Sequence, residues 1–451
     1  MSPSSRPSPL SREAIAHVEV GHTAVSPRLA GGMVAGFLLA LVLLPLAEWI
    51  GERVARDRAP DPVARLAAIG PDARLRLAAL GPDAPVWSRV VAVNRAVLAG
   101  LTAFEADLED GSAVGAWLRP PTQWLLSAAL GAGNERVYVG RDGWLFFRPD
   151  VEYLTGPGFL EPRVLARRMA SADEFVTPPS PDPRPAILAF ARDLEARGIA
   201  LVVVPTPVKP TVHPGRLSRR YDDRFGPVQN PPFEAWVETL RRHGVRVFDP
   251  APMLVARARG TGVAQYLATD THWRPEAAAA VGVALAEVLR RELALPPAPS
   301  PGYRVVSRQA RAHGDTLAAL DLPPWQRLYP AETVPLQHVI DAQGEPWRPS
   351  AQADVLLLGD SFTNIYSLAS MGWGEAAGFA EHLSLALQRP VDRIVQNDAG
   401  ARATRDLLGR DLAAARAAGQ AGDRLTGKRV VVWQFATREL ASGDWAVLPL
   451  P

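Results

Sequence analysis

The feature that most constrains the fold is an alternation of short apolar runs and amphipathic segments through the second half of the chain. The apolar runs, which we expect to form strands, are 199–204, 245–248, 355–358, 394–396 and 429–435. The helices expected around them are 187–197, 233–243, 275–295, 377–388 and 404–419. Apolar strands separated by helices predict a mostly parallel sheet covered on both faces, whose ligands bind at the carboxyl ends of the strands.

A second constraint lies near the N-terminus, where residues 29–47 carry no charge. That stretch is long enough to span a bilayer, and it predicts an uncleaved single-pass signal-anchor over 29–50 after a short tail at 1–28. A buried core helix and a cleaved signal peptide are the alternatives. We expect a helical juxtamembrane region at 51–133. The α/β domain is expected at 134–451, with proline-rich insertions near 177–185 and 296–301.

Composition excludes several classes of protein. The chain of 451 residues has 49 basic and 47 acidic residues, a net charge of +2, so no nucleic-acid partner is expected. Cysteine is absent, which removes disulfides, thiolate nucleophiles and cysteine-ligated metals. Covalent chemistry in this protein must therefore use oxygen or nitrogen.

The apolar run at 355–358 continues into Gly359, Asp360 and Ser361, and a helix is expected to follow. A serine there lies at the carboxyl end of a strand, with its hydroxyl near a helix N-terminus that favours a developing negative charge. This position indicates a nucleophile. The alternative is that Ser361 only caps the helix, because serine is a common N-cap residue.

A second motif, Ala-Thr-Asp-Thr-His-Trp-Arg-Pro at 268–275, places Asp270 two residues before His272. In an extended segment these two side chains project to one side, so the carboxylate accepts the imidazole Nδ1 proton and leaves Nε2 free. A general base needs that tautomer. A surface loop or a helix cap is the alternative for this pair taken alone.

The sequence also argues against a metal site and predicts a structural hairpin. A metal site is not expected, because it would need more convergent histidine and carboxylate residues than the sequence offers. His213, His313, His338 and His382 lack a neighbouring carboxylate at this spacing, apart from Asp315 near His313. Residues 137–147 place two aromatic and β-branched runs around an Asp-Gly pair, a strong hairpin signal. The expected hairpin packs Trp144, Phe146 and Phe147 into the core.

Taken in order, these motifs resemble the SGNH-hydrolase-like domain of the AlgX/AlgJ group of alginate and exopolysaccharide O-acetyltransferases. The resemblance covers about 134–440 and is carried by GRDGWLFF at 140–147, VPTPVK at 204–209, DTHW at 270–273, HGDTLAALDLP at 313–323, LGDSFTNIYS at 358–367 and VVWQFATREL at 431–440. Typical SGNH hydrolases have the serine segment first, so the motif order here is permuted. The implied fold is a flavodoxin-like three-layer α/β sandwich.

The resemblance also implies roles for individual residues. Ser361 attacks an acyl donor and becomes acetylated, His272 removes its proton and later activates the acceptor hydroxyl, and Asp270 orients His272. The Ser361 amide is one oxyanion donor. Further candidates for oxyanion or substrate contacts are Lys209, Tyr366, Asn397, Gly400 and Arg438. A surface charge or a structural ion pair is the alternative for the two cationic side chains.

The function implied is O-acetylation of an exported polysaccharide, without a cofactor. The chain ends soon after the last motif, so the AlgJ-like, membrane-tethered form is the closer match. The implied location is the bacterial inner membrane, with a periplasmic catalytic domain that receives acetyl groups from a multipass membrane acyltransferase. A periplasmic carbohydrate or acyl esterase is one alternative. A noncatalytic polysaccharide-binding scaffold subunit is another.

Overall fold

The strands and helices lie within the residues that the computed structural model describes, which are 26–55, 62–81, 84–170, 178–221, 226–293, 295–296, 299–397 and 400–451. The strands are β1 (Val137–Val139), β2 (Leu145–Phe147), β3 (Ala200–Thr206), β4 (Arg246–Val247), β5 (Arg304–Ala312), β6 (Glu332–Ile340), β7 (Val355–Gly359), β8 (Asp392–Val395) and β9 (Val430–Ala436).

The helices are named by their bounds. The longer ones are Pro27–Ala55, Pro62–Ala79, Val86–Gly111, Ala113–Leu130, Arg148–Thr155, Pro162–Ala170, Pro183–Glu195, Phe233–Arg242, Ala251–Thr261, Pro275–Leu293, Phe379–Leu387 and Gly400–Ala417. The short ones are Lys209–Val212, Pro214–Leu217, Asp315–Ala319, Ser361–Asn364 and Glu439–Ser442, with a 3-10 turn at Ala369–Met371.

Five strands form one sheet in the order β4-β3-β9-β7-β8, and every neighbouring pair is parallel. The β3–β9 register runs from Ala200 opposite Val430 to Thr206 opposite Ala436. Because the strands are parallel, the carboxyl ends of β3, β9 and β7 lie side by side at one edge. The parallel sheet expected from the apolar runs is confirmed.

Helices cover both faces of this sheet. In β3, Val202 and Val204 pack into one apolar cluster with helices Pro275–Leu293 and Phe379–Leu387. Leu201 and Val203 pack into a second cluster on the opposite face. That second cluster contains residues of helices Pro183–Glu195, Phe233–Arg242 and Gly400–Ala417. Burial on both faces explains why the strands are continuous apolar runs, and it confirms the three-layer sandwich.

The predicted hairpin is formed by β1 and β2, which pair antiparallel. Its turn contains Asp142 and Gly143 with φ angles of 53° and 78°, the left-handed backbone that an Asp-Gly pair supplies. Trp144 and Phe146 are buried, as expected. Phe147 differs, because it is only half-buried and lines a cavity described below.

One element was not expected from the sequence. Strands β5 and β6 form a long antiparallel ribbon, paired from Arg304 opposite Ile340 to Ala312 opposite Glu332. Most of β5 is exposed, so its residues show no apolar period, and the sequence around it gives no clear pattern. The ribbon ends next to the segment that carries Asp315.

The N-terminal part forms its own compact unit up to Arg119, and a second unit runs from Pro120 to Pro451. In the first unit, helices Pro62–Ala79 and Val86–Gly111 pack closely, since a Cβ at Gly100 would lie 2.3 Å from the Ile69 side chain. The boundary near residue 133 expected from the sequence stays a prediction.

Two sequence-based expectations concern segments that the structure covers only in part. A helix is present at Pro27–Ala55, but among the described residues no helix has both the length and the apolar character required to cross a membrane. The signal-anchor predicted for 29–50 is therefore not shown. Residues 1–25 of the predicted tail lie outside the described residues, as do 177 and 297–298 of the proline-rich insertions.

Candidate active site

Ser361 lies at the carboxyl edge of the parallel sheet, immediately beyond β7. It is the first residue of helix Ser361–Asn364, and the N-cap is Asp360, whose Oδ1 accepts a hydrogen bond of 2.9 Å from the Phe362 amide. The capping role considered for Ser361 therefore belongs to Asp360. The Ser361 amide, at the first helical position, has no intrahelical acceptor.

The turn before Ser361 is fixed by side chains from neighbouring strands. Asp360 Oδ2 accepts a 2.7 Å hydrogen bond from the Ala436 amide, and Oδ1 accepts one of 2.8 Å from Gln434 Nε2. Gln434 Nε2 also donates to Thr206 Oγ1 at 2.9 Å. These bonds join the ends of β3, β9 and β7. Gly359 is required there, because a Cβ would lie 2.4 Å from Thr363 Oγ1.

Asp270 and His272 form the contact predicted from their spacing. The His272 Nδ1 lies 2.7 Å from Asp270 Oδ1, and the His272 amide donates to the same oxygen at 3.0 Å. The segment is a bent loop rather than the expected extended chain, and a β-bridge between Tyr266 and Trp273 closes it. The carboxylate reaches both groups of His272 because the chain turns around it.

The opposite ring nitrogen of His272 is the most informative atom of the site. Nε2 is buried and has no hydrogen-bond partner among the described residues. The His272 ring packs edge-on against Phe362, with centroids 4.7 Å apart, and Trp273 Nε1 donates to the Phe362 carbonyl at 3.0 Å. These contacts hold His272 beside the residue that follows Ser361. No hydrogen bond between Ser361 and His272 is formed in this structure.

The electrostatics favour a basic imidazole. Burial raises the pKa of Asp270, but hydrogen bonds from His272 and Trp373, together with the His272 charge, outweigh burial and lower it to about 2. Burial lowers the pKa of His272, but the hydrogen bond and charge of Asp270 and the charge of Asp315 raise it above its ordinary value of 6.5. His272 is thus a stronger base than a free histidine.

Asp315 and Trp373 are site residues for which the sequence indicates no role. The Asp315 amide and Trp373 Nε1 donate to Asp270 Oδ2 at 3.1 and 2.9 Å. The Asp315 side chain lies 3.5 Å from His272 Nδ1, is 47% exposed, and accepts a 2.6 Å bond from the Thr271 amide. Partial burial of this carboxylate and the charge of Asp270 raise its pKa to about 6. The available signal was the His313-Gly-Asp315 sequence.

Ser361, His272 and Asp270 line one cavity of about 670 Å³. Its walls include Asp270, His272, Asp315, Ser361, Ser370, Asn397, Arg438 and the apolar residues Phe147, Pro149, Ile365 and Met371. A cavity of about 850 Å³ lies beside β4, but no serine or histidine lines it. The smaller cavity is the candidate site because a possible nucleophile and a possible base face the same space.

Arg438 is one of the predicted substrate contacts that line this cavity. It follows β9, and its Nη1 lies 3.0 Å from Oδ1 of Asp150, which is fully buried. The guanidinium carbon is 5.4 Å from the Phe147 ring centre and 5.9 Å from that of Phe362. Burial raises the pKa of Asp150, and Arg438 opposes that shift. Asp150 has no signal in the sequence, because only the fold brings it to Arg438.

The other predicted contact residues separate into two groups. Asn397 lines the cavity, and its Oδ1 accepts a 2.8 Å hydrogen bond from Asn364 Nδ2. Tyr366 does not reach the cavity, since it is fully buried and donates to the Trp273 carbonyl at 2.7 Å. Gly400 is not among the lining residues either. It is the first residue of helix Gly400–Ala417 and has a φ of 64°. The expectation of substrate contacts for these two is not supported.

Lys209 also lies away from the cavity. It is fully buried, and its ammonium donates to three main-chain carbonyls, which leaves no donor for a substrate. Burial lowers the pKa of Lys209 to about 8, against the opposing charges of Asp270 and other acids. The predicted substrate contact is therefore replaced by an internal one.

One group among the described residues has the donor atoms for a metal ion. These atoms belong to Asp270, His272 and Asp315 and lie within 4.8 Å of one another. The imidazole nitrogen that faces the carboxylates is Nδ1, which already bonds Asp270 Oδ1. A metal there would have to displace that hydrogen bond, so the residues fit a hydrogen-bonded pair better than a metal centre.

The chain is similar to proteins of one known family. The family model described as "SGNH hydrolase-like domain, acetyltransferase AlgX" matches residues 137–437. Two curated relatives are each described as "Probable alginate O-acetylase AlgJ". The one from Pseudomonas putida is 28% identical over 243 residues, 51% of this chain and 56% of the relative. The one from Pseudomonas aeruginosa is 27% identical over 193 residues, 43% of each protein. The chain thus spans about half the length of these relatives.

Two solved structures are similar to parts of this chain. The O-acetyltransferase domain of Pseudomonas putida AlgJ has a TM-score of 0.47 at 20% identity, covering 68% of this chain and 92% of that domain. Pseudomonas aeruginosa AlgX has a TM-score of 0.44 at 18% identity, covering 67% of this chain and 61% of that one.

Proposed function

Because the chain belongs to the family of SGNH hydrolase-like domains of the acetyltransferase AlgX, we propose that it is a serine-type O-acetyltransferase acting on polysaccharide hydroxyls. The observation that carries the proposal is the state of His272. Its Nδ1 is bonded to Asp270, its Nε2 is buried without a partner, and it lines one cavity with Ser361. The names of the curated relatives support an acetyl group and a polysaccharide acceptor.

The proposed reaction has two steps with one base. In the first, Ser361 Oγ attacks the acyl carbon, His272 Nε2 takes the hydroxyl proton, and the leaving group departs with that proton. In the second, His272 takes the proton of a sugar hydroxyl, which attacks the acyl-serine and releases Ser361 Oγ, reprotonated by His272. Asp270 stabilises the imidazolium formed in each step through the 2.7 Å contact.

Negative charge on the acyl oxygen needs fixed donors. The Ser361 amide is one, and the Asn397 amide group is a second, since its Oδ1 is already held by Asn364. Arg438 supplies positive charge from the same cavity wall, and Asp150 fixes the guanidinium from behind. Asn397 is preferred to Gly400 because Gly400 is not among the cavity residues.

The location and partners form part of the proposal. An AlgJ-like protein would act in the periplasm of a bacterium, beside the inner membrane, and would receive acetyl groups from a multipass membrane acyltransferase. The apolar residues 29–47 would attach it to that membrane. Fractionation of cells that express the full chain tests this, because extraction from the membrane by carbonate alone would contradict a spanning anchor.

A direct assay separates transfer from the alternatives. The purified chain is incubated with a chromogenic acetate ester and an oligosaccharide, and chromophore and acetylated sugar are both measured. We expect Ser361→Ala to lower both by more than about 1,000-fold, since the nucleophile is lost. Ser370→Ala is the matched control, because Ser370 lines the same cavity without the sheet-edge position.

Each alternative predicts a different result. An esterase would release chromophore at the same rate with or without sugar and would form no acetylated product. A noncatalytic scaffold would support full polymer acetylation in cells after Ser361→Ala. Either result would contradict the transferase proposal.

A further inference from the structure

Lysine is used in this chain at two positions, Lys209 and Lys428, although arginine is abundant. Both lysines are buried, with 0% and 5% of their surface exposed. Both donate to main-chain carbonyls. A lysine ammonium carries three donors in a compact tetrahedral arrangement, whereas a guanidinium presents its donors in a planar fork. A compact ammonium therefore suits the carbonyls that surround each of the two lysines.

The three acceptors of Lys209 come from two motifs that the proposed mechanism does not otherwise connect. Nζ donates to the carbonyls of Leu145 at 2.5 Å, Ala268 at 2.8 Å and Asp270 at 2.9 Å. Leu145 belongs to the hairpin strand β2, while Ala268 and Asp270 belong to the loop that presents the catalytic carboxylate. Lys209 itself begins the short helix Lys209–Val212 beyond β3.

Other contacts limit how the ammonium can move. The Leu145 amide donates to the Ala268 carbonyl at 2.8 Å, so the hairpin and the loop are already adjacent. Nζ also lies 5.1 Å from the ring centres of both Trp144 and Phe146. Three carbonyls and two aromatic rings therefore surround the ammonium and restrict its movement. Because one of these carbonyls belongs to Asp270, the ammonium also restricts the position of the Asp270 main chain.

We propose that Lys209 is a positioning residue for the acyl-transfer reaction: it fixes the main chain at Asp270 so that the carboxylate is directed at His272 Nδ1. This inference rests on the proposed function of Ser361 and His272. It also gives a role to the hairpin Val137–Phe147, which supplies the rigid surface against which the Asp270 loop is held.

Lys428 offers a matched control. Its Nζ donates to the carbonyls of Ala351 and Ala353 at 2.6 and 2.7 Å and lies 3.1 Å from Asp392. Lys428 precedes β9, at the opposite edge of the sheet from Ser361. Loss of either ammonium leaves buried carbonyls unpaired, so both substitutions lower stability. Only one of them touches the Asp270 loop.

The test compares Lys209→Met, Lys209→Arg and Lys428→Met in the purified full chain. The first readout is the low-field proton NMR resonance of His272 Nδ1–H, identified by its loss in Asp270→Asn. We expect wild type and Lys428→Met to keep this resonance at the same position. Both Lys209 variants should shift it upfield or lose it, because the carboxylate is no longer held.

The second readout is kinetic. For the Lys209 variants we expect kcat for the chromogenic ester to fall about 100-fold with little change in KM, since misplacement by about 1 Å has effects of that size. Lys428→Met should keep the wild-type kcat. If both Lys209 variants keep the resonance and a wild-type kcat, or if Lys428→Met loses them equally, the inference is overturned. Should Lys209→Met not fold, Lys209→Arg decides.

Failure of the inference is distinguishable from failure of the proposed function. If wild type and Ser361→Ala release chromophore equally, the acyl-serine mechanism is wrong whatever Lys209 does. If wild type is active, Ser361→Ala is inactive and Lys209→Met matches wild type, the mechanism stands and the positioning role does not. The NMR resonance reports on Asp270 and His272 in the absence of any substrate.

Discussion

At the scale of single residues, the site gives two aspartates opposite properties. Asp270 is buried and receives hydrogen bonds from the His272 ring and from Trp373, and its pKa is about 2. Asp315 stands partly exposed at the cavity, and its pKa is about 6. Asp270 is therefore the permanent anion beside the imidazole, while Asp315 is a second carboxylate whose charge changes near pH 6.

The pH dependence of acylation tests this assignment. His272 must be neutral at Nε2 to act as a base, and its pKa is raised, so activity should rise with pH through a midpoint above 6.5. The Asp315 charge contributes to that shift, and removing a negative charge lowers the pKa of a histidine. Asp315→Asn should therefore move the midpoint to lower pH, measured from kcat/KM of the chromogenic ester.

The control is Glu135→Gln, because Glu135 is another acid of the cavity wall and has no contact with His272. Its midpoint should match that of wild type. An unchanged midpoint in Asp315→Asn would contradict the electrostatic assignment.

The buried pair of Asp150 and Arg438 leads to a stability prediction. Arg438→Met leaves the Asp150 carboxylate buried without its cation, which costs about 3–5 kcal/mol at neutral pH. The pKa of Asp150 is already raised, and it rises further without Arg438. The carboxyl therefore takes up a proton as pH falls, and the loss of stability should shrink toward pH 5. Urea unfolding at pH 7 and pH 5 measures both values.

The double variant Asp150→Asn with Arg438→Met is the control. It has no buried charge, so it should recover most of the lost stability at pH 7. Equal stability of Arg438→Met and wild type at both pH values would show that the pair is not coupled.

At the scale of elements, the sheet edge and three loops bring the site together. The segment from β7 to Ser361, the loop at Asp270, and the segment that begins at Gly314 meet there. Gly314 lies against the Asp270 loop so closely that a Cβ would be 2.1 Å from the Thr269 carbonyl oxygen and 2.5 Å from the Asp270 amide nitrogen. Its φ of −79° suits any residue, so only space requires glycine here.

Gly314→Ala should therefore displace the Asp270 loop. We expect a loss of about 1–3 kcal/mol, since overpacking costs that much, together with a large fall in kcat. Gly409→Ala is the matched control, because Gly409 lies within helix Gly400–Ala417 with nothing within 4 Å of an added Cβ. It should gain about 0.5–1 kcal/mol. Thermal unfolding and ester turnover of both variants test the difference, and a fully active Gly314→Ala protein would contradict it.

The sequence predicts some of these elements and contacts but not others. The parallel sheet follows from apolar runs because both its faces are buried, and the Asp270–His272 contact follows from a spacing of two residues. The β5–β6 ribbon does not follow, since most of β5 is exposed and carries no period. The contacts of Asp315, Trp373 and Asp150 join positions far apart in sequence, and no local pattern encodes them. The sequence places Lys209 at the correct edge of the sheet, but its ammonium donates to main-chain carbonyls and not to a substrate.

At the scale of the whole molecule, the unit Pro120–Pro451 contains the sheet, both apolar clusters and the cavity. Helix Ala113–Leu130 crosses the start of this unit. Within the unit, Trp124 of that helix packs edge-on against Trp325, with ring centroids 5.2 Å apart. The residue at which a fragment begins should therefore affect its stability but not the reaction that it catalyses.

A fragment of residues 113–451 should unfold in one transition and turn over the chromogenic ester within about threefold of the full chain. A fragment of residues 134–451 loses Trp124, so it should be less stable by about 0.5–1.5 kcal/mol from the ring pair alone. Thermal unfolding and turnover of both fragments measure this. An inactive or unfolded 113–451 fragment would contradict the independence of the unit.

The most direct test of the account is the mass of the peptide that contains Ser361 after brief incubation with an acetate ester and an acid quench. We predict one acetyl group on Ser361 in wild type, and no acetylated peptide in His272→Ala, because the hydroxyl then has no base to take its proton. An unmodified Ser361 in a wild-type protein that transfers acetyl groups, or equal acetylation in His272→Ala, would contradict the account.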